Sequence, residues 1–172
     1  MAFNWVNFLV SLLGAFTFAI IFLFQLKINR KVTKREIYQK MEFASIELFR
    51  FEHQNSDKCW KLYNNDFILP SKDSQEYWEI LNHTTQIFNL FEMACEFRKD
   101  KIIDDAIFST WVPWFWDISQ KNTIVLMWPD IRDNYSKELQ KVIETGIGAS
   151  GNWDAFKEEL YSLYHSESIR EL

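Results

Sequence analysis

Three histidines, two cysteines and one glycine-rich hexapeptide are where residue type and spacing in this chain come nearest to catalysis or ligand binding. His53, His83 and His165 form no His-Glu-x-x-His pair, and none stands three residues after a glutamate, the spacing by which helical bundles hold di-iron. Glu79 and His83 are one helical turn apart, but two groups do not make a metal site. The histidines are therefore read as surface or capping residues. The Arg-then-His spacing of helical RNA-cleaving domains is also missing, because Arg50 and His53 are too close and Arg132 has no histidine within reach. Cys59 and Cys95 lie outside any CxxC or Cys/His spacing and read as reduced, partly buried thiols. There is no GxSxG elbow, and neither thiol has a histidine and an acid suggested beside it.

Residues 146–151, Gly-Ile-Gly-Ala-Ser-Gly, match GxGxxG literally. A dinucleotide site needs those glycines between a strand and a helix, so that the pyrophosphate meets the helix N-terminus. Here the preceding segment, SKELQKVIET, has helical spacing, so the expectation is a helix C-cap at Gly146 followed by a flexible link. No catalytic residue, cofactor or metal ligand is assigned.

Two further features are candidates for something other than surface or core. Glu92 sits in NLFEMACEF with apolar neighbours on both sides, and a carboxylate there needs a cation such as Arg98 or Arg132 to offset its desolvation. Glu92 with Arg132 is the candidate buried polar pair. Trp111, Trp114 and Trp116 crowd one short proline-containing segment, so they are candidates for a partner-binding surface, with core packing as the alternative.

The elements that carry these residues are helical. Four glycines and three prolines in 172 residues are too few for the turns of a sandwich or barrel, and 48% hydrophobic residues, including 16 Phe and 8 Trp, are ample for a core. Alternation of period two never holds for more than a few residues. The fold class is all-α: an N-terminal transmembrane helix continuing into a bundle of four to six helices. Ile37, Met41, Ala44, Leu48 and Phe51 form a heptad stripe on a stalk reaching about Gln54, and Tyr38, Phe43, Ile46 and Phe49 widen it toward packing against the rest of the domain, with room left for a dimer contact. A short helix follows at about 57–65. The central helix starts after a Ser71 or Ser74 cap and runs to about Lys99, apolar on two stripes. Asp104 caps a helix that Pro113 kinks or splits, and Pro129 interrupts the next. Ile131, Tyr135, Leu139 and Val142 resume the amphipathic spacing, and a last helix from about Asn152 buries Trp153, Phe156, Leu160 and Leu163. Residues 166–172 read as a frayed tail.

Residues 5–26 contain no charge and, at about 1.5 Å per residue, extend about 33 Å, enough for a hydrocarbon core of about 30 Å. A cleaved signal peptide would place its basic residues first, whereas here they follow. Every charge before Glu36 is positive: Lys27, Arg30, Lys31, Lys34 and Arg35. That bias orients the N-terminus outward and the domain toward the cytoplasm. Removing those five leaves residues 36–172 with 14 of the 19 basic side chains and all 24 acidic ones, a net of −10. Such a surface offers nothing to a phosphate backbone, which argues against nucleic acid as a partner. The organisation expected is a short external segment at 1–4, a transmembrane helix at 5–26, a basic collar at 27–35, a cytoplasmic domain at 36–165 and a tail at 166–172. Ser11, Ala15 and Ala19 recur at four-residue steps and would let two spanning helices approach closely.

The span, the collar and a Phe91-Glu92 pair in the central helix are joined by Asn82, the Arg98-Lys99-Asp100-Lys101-Ile102-Ile103-Asp104 turn, Trp128, Tyr135 and Gly146. Over roughly 75–146 this layout resembles a family of uncharacterised bacterial single-span membrane proteins with a cytoplasmic helical domain. The resemblance implies the fold, the topology and a bacterial inner membrane; it adds no catalytic residue. The function expected is a membrane-anchored interaction module for a protein partner or for its own copies. The alternative is a tethered enzyme or toxic effector, by analogy in phage defence, with an unrecognised site around Glu92 and Arg132.

Overall fold

The computed structural model describes residues 5–172, with side chains described at Phe16 and Phe18 and from Ile20 onward. The chain divides into two compact units, residues 1–39 and 40–172. Among the described residues every regular element is helical, as the composition requires. The small-residue stripe of Ser11, Ala15 and Ala19 lies outside the described side chains.

The first unit, where described, belongs to helix α1, Trp5–Gln54. Its large apolar side chains lie open: Phe16 is 67% exposed, Phe18 is 71% exposed, and residues 20–24 are all at least half exposed. Among the described residues no helix is long and apolar enough to cross a membrane; the apolar run at 5–26 is described in its side chains only over its second half.

The second unit contains the end of α1 and eight further α-helices, more than the four to six expected for the bundle. They are α2 (Ser56–Tyr63), α3 (Gln75–Lys99), α4 (Asp105–Ser109), α5 (Val112–Ser119), α6 (Asn122–Ile131), α7 (Lys137–Ala149), α8 (Trp153–Tyr164) and α9 (Glu167–Arg170). Polar caps set half of their starts. Ser74, Asp104, Ser136 and Asn152 each accept a backbone N–H from the first turn of the helix that follows. Pro113 has no N–H to give the Ser109 carbonyl, so the expected fourth helix becomes two pieces with the proline in the first turn of α5. Pro129 is carried inside α6, which tightens into a 3-10 turn at Arg132–Asn134.

Helix α3 is the axis of the core. Its two apolar stripes bury Tyr77, Ile80, Ile87, Phe88, Phe91 and Cys95. Phe88 meets Trp128 and Tyr135 edge-on at 5.4 Å each, and Phe91 meets Phe115 at 4.6 Å, all in edge-to-face geometry. Four expectations are corrected. Gly146 lies within α7 rather than capping it: a Cβ there would fall 2.0 Å from Ser119 Oγ, so the glycine lets α7 cross α5 closely, and the left-handed cap is Ser150 at φ 47°. Leu163 is exposed, because its position turns to the solvent side of α8. The tail does not fray, since α9 buries Ile169 and Ser166 completely. Finally, the widened stripe does not bury itself in the domain: Phe43, Ile46 and Phe49 stay exposed, Phe49 touching the domain only with one side of its ring, against Trp114, and only Met41 and Leu48 on that part of α1 are buried.

Candidate functional site

The positions singled out from sequence do not converge. Glu92 and Arg132 do not pair. The Glu92 carboxylate accepts the backbone N–H of Ser136 at 2.5 Å, just ahead of α7, where the positive end of the helix dipole suits a carboxylate. Arg132 sends Nη2 to Glu144 Oε1 at 2.9 Å instead. Buried Gln140 completes this corner by donating to the carbonyls of Arg132 and Tyr135 at 3.0 and 2.9 Å. These are anchors for the start of α7.

The tryptophans are largely absorbed by packing. Trp111 is buried, while Trp114 and Trp116 are half-buried. Trp114 stands edge-on to Phe91 at 4.8 Å and tilted against Phe49 at 5.2 Å. Trp116 packs on Phe156 at 5.1 Å and Trp153 at 5.6 Å. The open aromatic area is elsewhere, at Phe43, Phe49, Trp60 and Trp78. Residues 146–151 end α7 and turn into α8, with Gly151 N–H donating to Gln120 Oε1 at 2.9 Å and Gln120 Nε2 donating to the Gly146 carbonyl at 2.6 Å.

The group with the strongest chemistry was not foreseen. His83, read as a surface or capping residue, is 4% exposed on the inner face of α3. Its Nε2 comes within 3.1 Å of Glu52 Oε1, but off the line that a hydrogen bond requires, so neither ring nitrogen has a hydrogen-bond partner. Glu52 itself accepts the Tyr63 hydroxyl at 2.5 Å. Burial, the hydrogen bond to Glu52 and the Glu52 charge together push the Tyr63 phenol far above its ordinary range, so it stays a donor. The Phe51 and Tyr63 rings flank the imidazole at 6.0 and 6.4 Å.

His83 is part of the wall of a pocket of about 170 Å³ between the end of α1, α2 and α3, with both ring nitrogens closed off from it. Leu62, Ile80, Cys59 and Phe51 supply apolar wall, and Lys58, Lys61, Glu76 and Glu79 form a charged rim. The rim is internally paired, Lys61 to Glu76 at 2.6 Å and Lys58 to Glu79 at 3.4 Å. Burial first, then Glu52 and Asp57, raises the Cys59 thiol above its usual range, which makes it a poor nucleophile. Neither Glu92 nor Arg132 lines this pocket.

No family model, curated protein or solved structure matches this chain.

The histidine was legible in part. His83 stands three residues after Ile80 and four before Ile87, both buried, so the same stripe that marks the core passes through it. Glu52 left no such signal, because it lies among charged and exposed neighbours and is drawn in by Tyr63 from the next helix.

Proposed function

We propose that this chain is a membrane-anchored interaction module: residues 5–26 sit in the bilayer, the collar at 27–35 lies at its cytoplasmic face, and the helical unit binds a protein partner or a second copy. The observation that carries the reading is the apolar character of α1, which leaves Phe16, Phe18 and residues 20–24 largely open, so that lipid or protein must cover them. Farther along the same helix, Phe43, Ile46 and Phe49 are also open, and Phe43 is 66% exposed. A contiguous exposed apolar patch of this kind marks an interaction surface in a water-soluble domain. The inner-membrane location and the likeness in layout to bacterial single-span proteins belong to the same proposal. The five basic residues ahead of Glu36 support the orientation.

The test is purification of the full chain in mild detergent, with particle mass and co-purifying proteins determined for the wild type and for the triple variant Phe43→Ser, Ile46→Ser, Phe49→Ser. The expected outcome is a defined oligomer or stoichiometric partner that the triple variant loses while staying folded. A wild-type monomer without a partner would contradict the reading and favour the tethered enzyme or effector.

A further inference from the structure

We propose that one face of α1, carrying Lys27, Arg30, Lys31, Lys34 and Arg35, is a docking face for the headgroups of anionic phospholipids. The inference rests on the tether of the proposed function and goes beyond it, because the tether needs cations on the collar in number but not on one side.

The first ground is their arrangement. The five follow one another at steps of three, one, three and one residues along a single unbroken helix, and all are exposed. At about 100° of turn per residue they fall within an arc of about 140°. The rest of the circumference there is uncharged, formed by Ile28, Asn29, Val32 and Thr33. The rule that orients a span counts cations near its end and is indifferent to which side of the helix they occupy. One-sided charge therefore serves something else. Toward the N-terminus the same face is apolar: Leu23 and Leu26 line one surface groove with Lys27, Arg30, Lys31 and Lys34. Apolar side chains followed by cations along one face match an acyl chain followed by its phosphate.

The second ground is charge complementarity. In the unit of residues 40–172 carboxylates engage many of the cations, as Glu76 does Lys61, Asp130 does Lys72 and Asp117 does Lys121, each at 2.6 Å. On the collar, no carboxylate among the described residues forms an ion pair with Lys27, Arg30, Lys31 or Arg35. The next acid in the chain, Glu36, stands about half a turn away from Lys27 around the helix. Near an anionic surface each exposed cation strengthens binding about fivefold. A span of about 33 Å in a core of about 30 Å accommodates by tilting, which lowers one side of the collar onto the headgroups. A polynucleotide is the poorer match, since the chain after Arg35 carries a net −10.

The experiment is native mass spectrometry of the full chain in a neutral detergent with equal amounts of phosphatidylglycerol and phosphatidylcholine of the same acyl chains. Wild type is compared with two variants. One replaces all five collar cations by glutamine, whose helix propensity is similar. The other keeps five cations but spreads them around the helix, by Asn29→Arg with Arg30→Asn and Thr33→Arg with Arg35→Thr. Wild type is expected to retain phosphatidylglycerol over phosphatidylcholine by about tenfold or more, the glutamine variant to show no preference, and the rearranged variant to lose about fivefold or more of it. Equal retention of the two lipids by wild type would overturn the docking face and leave the tether standing, whereas retention of neither would contradict both. The same preference in wild type and the rearranged variant would reduce the collar to a count of charges and overturn the proposal. So would displacement of phosphatidylglycerol by equimolar glycerophosphate, which would make this a site for free phosphate esters.

Discussion

Cys95 ends inside the core with Tyr164 against its sulfur, and its titration follows from that position. Burial, opposed in part by the Tyr164 hydrogen bond and reinforced by Glu96, Glu138 and Glu92, pushes the thiol up to about 12 from an ordinary value of 9.0. The folded state therefore holds a proton that the unfolded chain releases from about pH 9 upward. The associated stability is complete below pH 9 and is lost as pH rises toward about 12. The midpoint of urea unfolding is expected to fall between pH 8 and pH 10.5, and to fall less in Cys95→Ala; an identical fall in both would contradict the account. At this scale the sequence was legible for the thiols, read as reduced and partly buried and found free and buried, and for Glu92 as a carboxylate needing a partner. It was not legible for the partner itself. A main-chain N–H such as that of Ser136 carries no residue-type signature, whereas an arginine such as Arg132 invites pairing on charge alone.

Helix starts follow from capping chemistry, so Asp104 and Asn152 could be read directly and Ser74 as one of two candidates with Ser71, while Pro113 announced a kink or a split, and the split is what separates α4 from α5. Gly146 misled because a glycine near the end of a periodic segment has two uses, a left-handed cap or a close helix crossing, and only the neighbour decides. Here the neighbour is Ser119, whose Oγ and Cβ would lie 2.0 and 2.5 Å from an added Cβ. Gly146→Ala is therefore expected to cost about 1–3 kcal/mol through overpacking between α5 and α7. Gly148, in the same helix, has nothing within 4 Å of an added Cβ, so Gly148→Ala should stabilise by about 0.5–1 kcal/mol. Chemical denaturation of the two variants checks the pair, and equal shifts in one direction would refute the assigned crossing. The exposed Phe43, Ile46 and Phe49 teach the same lesson: a hydrophobic stripe says that something covers a face, without saying whether it belongs to the same molecule.

At the scale of the whole molecule, charge is divided sharply, with five cations and no acid before Glu36 and a net of −10 after Arg35. That division, with the apolar run ahead of it, is the ground for the proposed tether, whereas the all-α class, which the described residues form, followed from the few glycines and prolines and the helical periodicity. The burial of His83 was legible in part from the Ile80–Ile87 stripe of its own helix, whereas the neighbours that enclose it come from the end of α1 and from α2 and leave no signal in α3. The most direct measurement of the tether is alkaline carbonate extraction of membranes from cells expressing the full chain or residues 27–172. The account predicts that the full chain stays in the membrane pellet while the shortened chain is released to the supernatant. Release of the full chain under the same conditions would contradict it.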